Sequence, residues 1–140
     1  MNKMFFGLAR MPNLSRGDAP GFVQVLDDQT LAIPDRPGNN RLDSLSNILS
    51  SPSVGLLFMV PGFEDTLRIN GTASLNRDPE LLDSMAVNDR TPTLAIVIDI
   101  NEAFLHCAKA LRRAKLWKAE SLQDRSEMKS MIGMLMLVSQ

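Results

Sequence analysis

The sequence predicts a small antiparallel β-barrel with flanking helices, a mainly β fold of the α+β class. Two observations predict it: β-rich runs dominate the first two-thirds of the chain, and short turns connect most of them. A doubly wound parallel sheet would need a helical crossover between successive strands, and that alternation is not seen. The 140 residues are expected to form one domain, residues 1–140.

The composition is that of an ordinary globular protein. Hydrophobic residues make up 44% and charged residues 22%, which excludes disordered and fibrous classes. The formal net charge of -1 gives no basic footprint for nucleic acid or an anionic membrane. Because Cys107 is the single cysteine and His106 the single histidine, we expect no internal disulfide and no metal site built on cysteine or histidine. No export signal or membrane-spanning run stands out, so we expect a cytoplasmic protein.

The N-terminal part of the chain predicts three strands. Residues 4–9 are interpreted as a shortened first strand. Residues 15–21 form a glycine-bearing loop that could bring Arg16 to a ligand, although loops of this kind are usually only turns. Residues 21–26 and 30–34 are β-rich runs, and the three polar residues between them predict a hairpin loop.

The segment after the hairpin is the most informative one. Pro37 and Gly38 interrupt regular structure, and apolar residues then recur at helical spacing as far as Leu49. Asn39 or Asn40 is placed to cap this predicted helix. The order is therefore strand, arginine- and asparagine-rich loop, helix N-terminus.

Arg36 and Arg41 lie on either side of that loop. A helix N-terminus presents free N–H groups and the positive end of the helix dipole, and arginine adds planar donors matched to phosphate oxygens. This combination favours a phosphate site. The spacing fits equally well a solvated turn whose arginines pair with Asp35 and Asp43.

Three further strands are predicted in the middle of the chain. Residues 54–60 are continuously apolar, residues 66–75 alternate in polarity, and residues 93–100 are again apolar. The polar face of the alternating strand carries Thr66 and Arg68. An arginine there either meets an anionic ligand or lies at the sheet rim.

The remaining segments predict helices. Asp78 and Pro79 predict the start of a short helix through residue 85. Residues 102–117 have apolar side chains near one helical face, and residues 128–138 form a last amphipathic segment. On the predicted helix 102–117, His106 and Cys107 would point to different sides and form no catalytic pair. Cys107 would then be a small core residue. Trp117, at its end, covers a hydrophobic edge or stacks on a planar ring.

Several segments, taken together and in order, carry a family resemblance. They are residues 16–23 (RGDAPGFV), 31–43 (LAIPDRPGNNRLD), 54–58 (VGLLF), 66–71 (TLRING), 106–110 (HCAKA) and 116–117 (LW). They resemble the FMN-binding split-barrel proteins related to pyridoxamine 5′-phosphate oxidase, and within them the FMN-dependent enzyme subgroup. The resemblance implies a six-stranded antiparallel split β-barrel of FMN-binding type. It also implies a homodimer that holds FMN non-covalently in two clefts at the subunit interface.

The resemblance also implies site residues. Arg41 would be the main residue that binds the FMN phosphate, and Arg36, Asn39 and Asn40 would assist it. The backbone of Ile33 and Pro34 would approach the ring system, and Thr66 and Arg68 would line its polar edge. Arg16 would make an additional contact. Lys109 and Trp117 would contact the flavin bound mainly by the partner subunit.

The function that follows is that of an FMN-dependent oxidoreductase acting on a small substrate of unidentified structure. No side chain stands out as a general acid or base. The C-terminal arginine and histidine motif of true pyridoxamine phosphate oxidases is absent, so vitamin B6 oxidation is not expected. The alternatives are a non-catalytic flavin-binding protein or carrier, and a truncated barrel that serves only dimerisation.

Overall fold

A single antiparallel sheet organises the chain. The computed structural model describes residues 5–8, 15–18, 21–36, 43–122, 124 and 126. Its seven strands are β1 (Phe5–Leu8), β2 (Ser15–Gly17), β3 (Gln24–Asp27), β4 (Thr30–Pro34), β5 (Ser53–Met59), β6 (Thr66–Asn76) and β7 (Ala95–His106). The helices are α1 (Asp43–Ser50), α2 (Pro79–Ser84), α3 (Lys109–Arg113) and a short 3-10 turn (Ala119–Ser121).

The strands lie in the order β2-β1-β5-β6-β7-β4-β3, and each neighbouring pair is antiparallel. The predicted mainly β, antiparallel class is therefore confirmed. The six-stranded closed barrel is not: the sheet has seven strands, and no pairing among the described residues joins β2 to β3. No helix in the described ranges is long and apolar enough to cross a membrane.

The core covers both faces of the sheet. On one face, Ile33, Ile96 and Ile98 are fully buried beside Leu56, and Ile48 of α1 packs into the same cluster. On the other face, α2 packs over β4 and β7 in a smaller cluster made by Ala32, Leu82, Met85 and Ala95. Burial of these side chains supplies the main driving force for the fold.

Local sequence determines the helix α2. Asp78 is extended, and its carboxylate accepts a hydrogen bond from the Glu80 N–H at 3.0 Å, while Pro79 occupies the first turn. The helix ends at the cap residue Met85, as the sequence predicts. Helix α1 begins at Asp43, and the predicted caps Asn39 and Asn40 lie outside the described residues.

A β-bulge divides β7 into two halves. Gly71 of β6 pairs with Ile100, whereas its neighbour Asn70 pairs with Glu102, so Asn101 is the extra residue. The Oδ1 atom of Asn101 accepts a hydrogen bond from Thr72 at 3.3 Å. Strand β4 pairs with the first half of β7 only, from residue 95 to residue 99. The second half therefore has β6 as its one described strand neighbour.

The structure corrects four predictions. The predicted helix 102–117 is wrong, because residues 102–106 continue β7 and α3 spans Lys109–Arg113 alone. Cys107 is exposed and is not a core residue. The predicted loop 15–21 contains the strand β2, and Trp117 follows α3 in a turn. The predicted amphipathic segment 128–138 lies outside the described residues.

Candidate functional site

Arg36, just beyond the end of β4, joins three parts of the chain. Its Nε atom forms an ion pair with the Asp18 carboxylate, and its Nη2 atom donates a hydrogen bond to the Met85 carbonyl oxygen at 2.8 Å. The two charged side chains are only 23% and 27% exposed. Arg36 is thus held in a half-buried position, with its guanidinium against a carboxylate.

The fold supplies both partners of Arg36. Met85 caps α2 and its side chain is buried, which fixes its carbonyl oxygen next to the end of β4. Asp18 directly follows β2. The arginine therefore ties the segment before β3 to the helix that covers the opposite face of the sheet.

Ile33 and Pro34 lie in the last part of β4, next to this arginine. Both are buried, and they pair with Ile96 and Ala95 of β7. Strand β3 pairs with β4 only up to Ala32, so the backbone of residues 33–34 is left without a strand on that side among the described residues.

A second group of predicted residues lies at the start of β6. Thr66 is buried and pairs with His106, and Arg68 is half-buried and pairs with Phe104. Strand β6 is flanked by β5 and β7, so Arg68 lies on a central strand of the sheet.

The segment after β7 folds back onto the turn before β6. Trp117 is half-buried, and its Nε1 atom donates a hydrogen bond to the Phe63 carbonyl oxygen at 2.7 Å. The Arg112 Nε atom lies 2.8 Å from a Glu64 carboxylate oxygen. This hydrogen bond and the negative charge of Glu64 raise the pKa of the Arg112 guanidinium. Lys109 begins α3 and is exposed.

The two groups are far apart within one chain. Ile33 pairs with Ile96, which pairs with Leu75 of β6, whereas Arg68 lies near the other end of that strand. At about 3.3 Å per residue, the intervening stretch of β6 spans roughly 23 Å. The structure therefore brings together Ile33, Pro34 and Arg36 in one place, and Thr66, Arg68 and the Trp117 segment in another.

Some predicted residues are not placed. Asn39, Asn40 and Arg41 lie outside the described residues. Arg16 lies in β2, where its backbone pairs with Phe6. Sequence reasoning missed Asp18 as the partner of Arg36 and Glu64 as the partner of Arg112. Nothing in the local sequence marks either contact, because the partners are distant along the chain.

The described residues contain no group of three His, Cys, Asp or Glu side chains that could hold a metal ion. An open depression of about 580 Å³ lies at the β3–β4 turn and is lined by Asp27, Asp28, Gln29, Thr30, Asp99 and Ile100. It contains none of the predicted site residues.

Three solved structures show the same fold. The Group A Streptococcus protein HupZ superposes with a TM-score of 0.52 at 14% identity, covering 74% of this chain and 84% of that one. General Stress Protein 26 from Bacillus anthracis gives 0.52 at 18% identity, covering 74% and 83%. An FMN-binding protein from Syntrophomonas wolfei gives 0.52 at 11% identity, covering 74% and 76%.

The sequence comparison identifies the family. No curated protein matches the chain significantly. The family model described as pyridoxamine 5′-phosphate oxidase matches residues 7–107, which include every described strand from β2 to β7. This match spans well over half of the sequence. The chain therefore belongs to the pyridoxamine 5′-phosphate oxidase family.

Proposed function

We propose that this protein is a flavoprotein that binds FMN between the two subunits of a homodimer. Family membership supports flavin binding, and one protein of the same fold, from Syntrophomonas wolfei, is described as FMN-binding. At 11% identity that protein supports the fold alone, so the argument for this chain depends on its own residues.

The observation that carries the proposal is the half-buried contact of the Arg36 guanidinium with a carboxylate of the same chain, that of Asp18. The guanidinium is half-buried at the end of β4 and is paired with the Asp18 carboxylate. A phosphate head group presents the same kind of acceptor oxygens to the same planar donors. The donor set at this position therefore fits the phosphate of FMN.

Arg41 is the main phosphate residue of the proposal, assisted by Arg36, Asn39 and Asn40. These residues follow β4 and lead into α1, whose N-terminus would add free backbone N–H groups. The ring system would then lie along the backbone of Ile33 and Pro34, beyond the point where β3 and β4 stop pairing.

The second group of residues would come from the partner subunit. Thr66, Arg68, Lys109 and Trp117 lie at the far end of β6 from Arg36, so one ligand meets both groups most directly between two chains. An apolar surface is available for such a contact. Leu105 of β7 is 75% exposed, and it pairs with Leu67 of β6, which is 37% exposed. Exposed apolar surface of this kind favours association.

When bound, FMN would supply hydride or electron transfer to a small substrate. The residues of this chain would anchor the phosphate, flank the ring and shield it from water. No described side chain is assigned as a general acid or base. The proposed class is an FMN-dependent oxidoreductase in a cytoplasmic setting.

An absorption spectrum of the purified protein and a titration with FMN test the cofactor. We expect a flavin spectrum, a dissociation constant measurable by quenching of flavin fluorescence, and a solution mass of two chains. Arg41→Ala should lose FMN and keep the dimer. Arg77→Ala, at an exposed arginine outside the predicted site, is the matched control and should bind normally. A colourless protein that neither binds nor quenches added FMN contradicts the proposal.

Reduction of the bound flavin tests the oxidoreductase part separately. Turnover with a nicotinamide donor and a panel of small acceptors would support it. FMN that stays bound through the whole panel without turnover would instead support the carrier function.

A further inference from the structure

We propose that Asp18 is a built-in competitor that lowers the affinity of the Arg36 site for phosphate and so sets its preference among flavins. The inference rests on the proposed phosphate site and adds a residue that regulates it. It starts from one contact, the half-buried ion pair between Asp18 and Arg36.

The contact occupies one side of the guanidinium. The Asp18 carboxylate forms an ion pair with Nε, and Nη2 donates one hydrogen bond to the Met85 carbonyl oxygen at 2.8 Å. The Nη1 donors and the second Nη2 hydrogen make up the end of the group. An incoming phosphate must either displace the carboxylate from Nε or bind at the end of the guanidinium beside it.

Both modes of binding are weakened by Asp18. In the first, the ligand reaches Nε only by breaking the ion pair between Asp18 and Arg36. In the second, the dianion sits near a carboxylate, and the pair of side chains carries no net charge to attract it. Because both side chains are only 23% and 27% exposed, solvent screens this repulsion less than it would on the open surface.

The effect should fall on the charged head group and not on the ring. Riboflavin has the same ring system without the phosphate, so its affinity should not depend on Asp18. FMN affinity should depend on it. Asp18 therefore reduces the preference of the site for phosphorylated over neutral flavin.

Asp18→Asn tests this inference, because the amide keeps the shape of the side chain and removes its charge. We expect FMN to bind about three- to tenfold more tightly, the range of a fully developed charge contact. Riboflavin binding should stay within twofold of the wild type. Asp28→Asn makes the same charge change in the exposed β3–β4 turn, at the other end of β4, and should leave both affinities unchanged.

Two further variants assign the effect to Arg36. Arg36→Gln should weaken FMN binding, and Asp18→Asn in that background should no longer strengthen it. Inorganic phosphate, titrated as a competitor of FMN, should follow the same order. Circular dichroism shows that each variant is folded.

The outcomes separate the two proposals. If the wild type binds FMN and Asp18→Asn binds it with the same or a lower affinity, the proposed role of Asp18 is wrong. The proposed flavin site is then unaffected. If neither the wild type nor Asp18→Asn binds FMN or phosphate, both proposals fail. Tighter binding that persists in the Arg36→Gln background also overturns the inference, since the effect would then not pass through Arg36.

Discussion

The indole nitrogen of Trp117 lies 2.7 Å from the backbone carbonyl oxygen of Phe63, to which it donates a hydrogen bond. Together with the Arg112–Glu64 contact at 2.8 Å, this bond fastens the segment after β7 onto the turn that leads into β6. The proposed partner-facing residues Lys109 and Trp117 are thus positioned by the turn next to Thr66.

Trp117→Phe should release this segment while keeping an aromatic ring. The loss of one hydrogen bond is expected to cost about 0.5–1.5 kcal/mol of local stability. Hydrogen exchange should become faster in residues 109–117 and at the turn. Leu116→Ala, at the exposed neighbour, removes apolar area without touching the bond and is the control. Unchanged exchange in Trp117→Phe would show that the bond does not hold the segment.

Gly71→Ala should destabilise the sheet at the bulge. A Cβ atom there would collide with the Asp99 carbonyl oxygen and would lie 2.9 Å from the Ile98 Cγ2 atom. Because backbone cannot move aside as a side chain can, we expect a loss of about 3 kcal/mol in the free energy of unfolding.

Gly62→Ala separates crowding from backbone strain. Gly62 has a φ of 88°, and no atom lies within 4 Å of the position that a Cβ atom would take, so the cost there is conformational only. A loss of about 1 kcal/mol is expected in urea unfolding. A smaller loss for Gly71→Ala than for Gly62→Ala would contradict the close approach of β6 and β7.

Leu105→Glu should dissociate the proposed homodimer. The side chain is 75% exposed on the second half of β7, and a carboxylate there would have to be buried on association. Light scattering should show a mass of one chain, and FMN affinity should fall with it. Leu49→Glu places the same charge at an equally exposed leucine on α1 and should leave the dimer intact. A dimer that survives Leu105→Glu would place the interface elsewhere.

The β3–β4 turn should contribute a pH-dependent part of the stability. The Gln29 N–H donates to the Asp27 carboxylate at 2.8 Å, and this bond, with a further one from Thr30, lowers the pKa of Asp27. The charged form is therefore favoured in the folded state. Its stabilisation is present above about pH 4, the ordinary value for an aspartate, and is lost as the pH falls through the lower folded value.

Carbon-detected titration of the aspartates by NMR measures this directly. Asp27 should titrate below the ordinary range, and Asp27→Asn should remove the corresponding slope from the stability–pH curve in acid. A normal or raised value for Asp27 would mean that the turn is not closed by this carboxylate in solution.

Local signals predicted much of the fold. The strand β4 is predicted at its observed bounds, because a polar turn precedes Thr30 and the proline at position 34 ends the β-rich run. Helix α2 follows from Asp78 and Pro79, whose capping chemistry acts within one turn. The alternation in β6 also predicts its buried residues Ile69, Gly71 and Ala73.

The prediction fails where contacts between distant parts of the chain determine the structure. On β7 the register puts Ile96, Ile98 and Ile100 on one face before the bulge, and Ala103 and Leu105 on that face after it. This spacing of apolar residues breaks the period of two that marks a strand, and residues 101–106 are exposed. The sequence therefore predicts a helix there instead of a strand. The Arg36–Asp18 contact could not be predicted from the sequence either, because only the folded sheet brings these two residues together.

One extra residue determines which side of the molecule each later side chain of β7 addresses. If Asn101 were paired as an ordinary strand residue, the alternation would run on unbroken, and Glu102 and Phe104 would take the places of Ala103 and Leu105. The same amino acids would then present an acidic and aromatic surface instead of an aliphatic one to the second subunit of the proposed dimer. Loss of the Asn101 codon would straighten the strand and keep the aliphatic surface, whereas loss of any one codon between residues 102 and 105 would put that surface at risk.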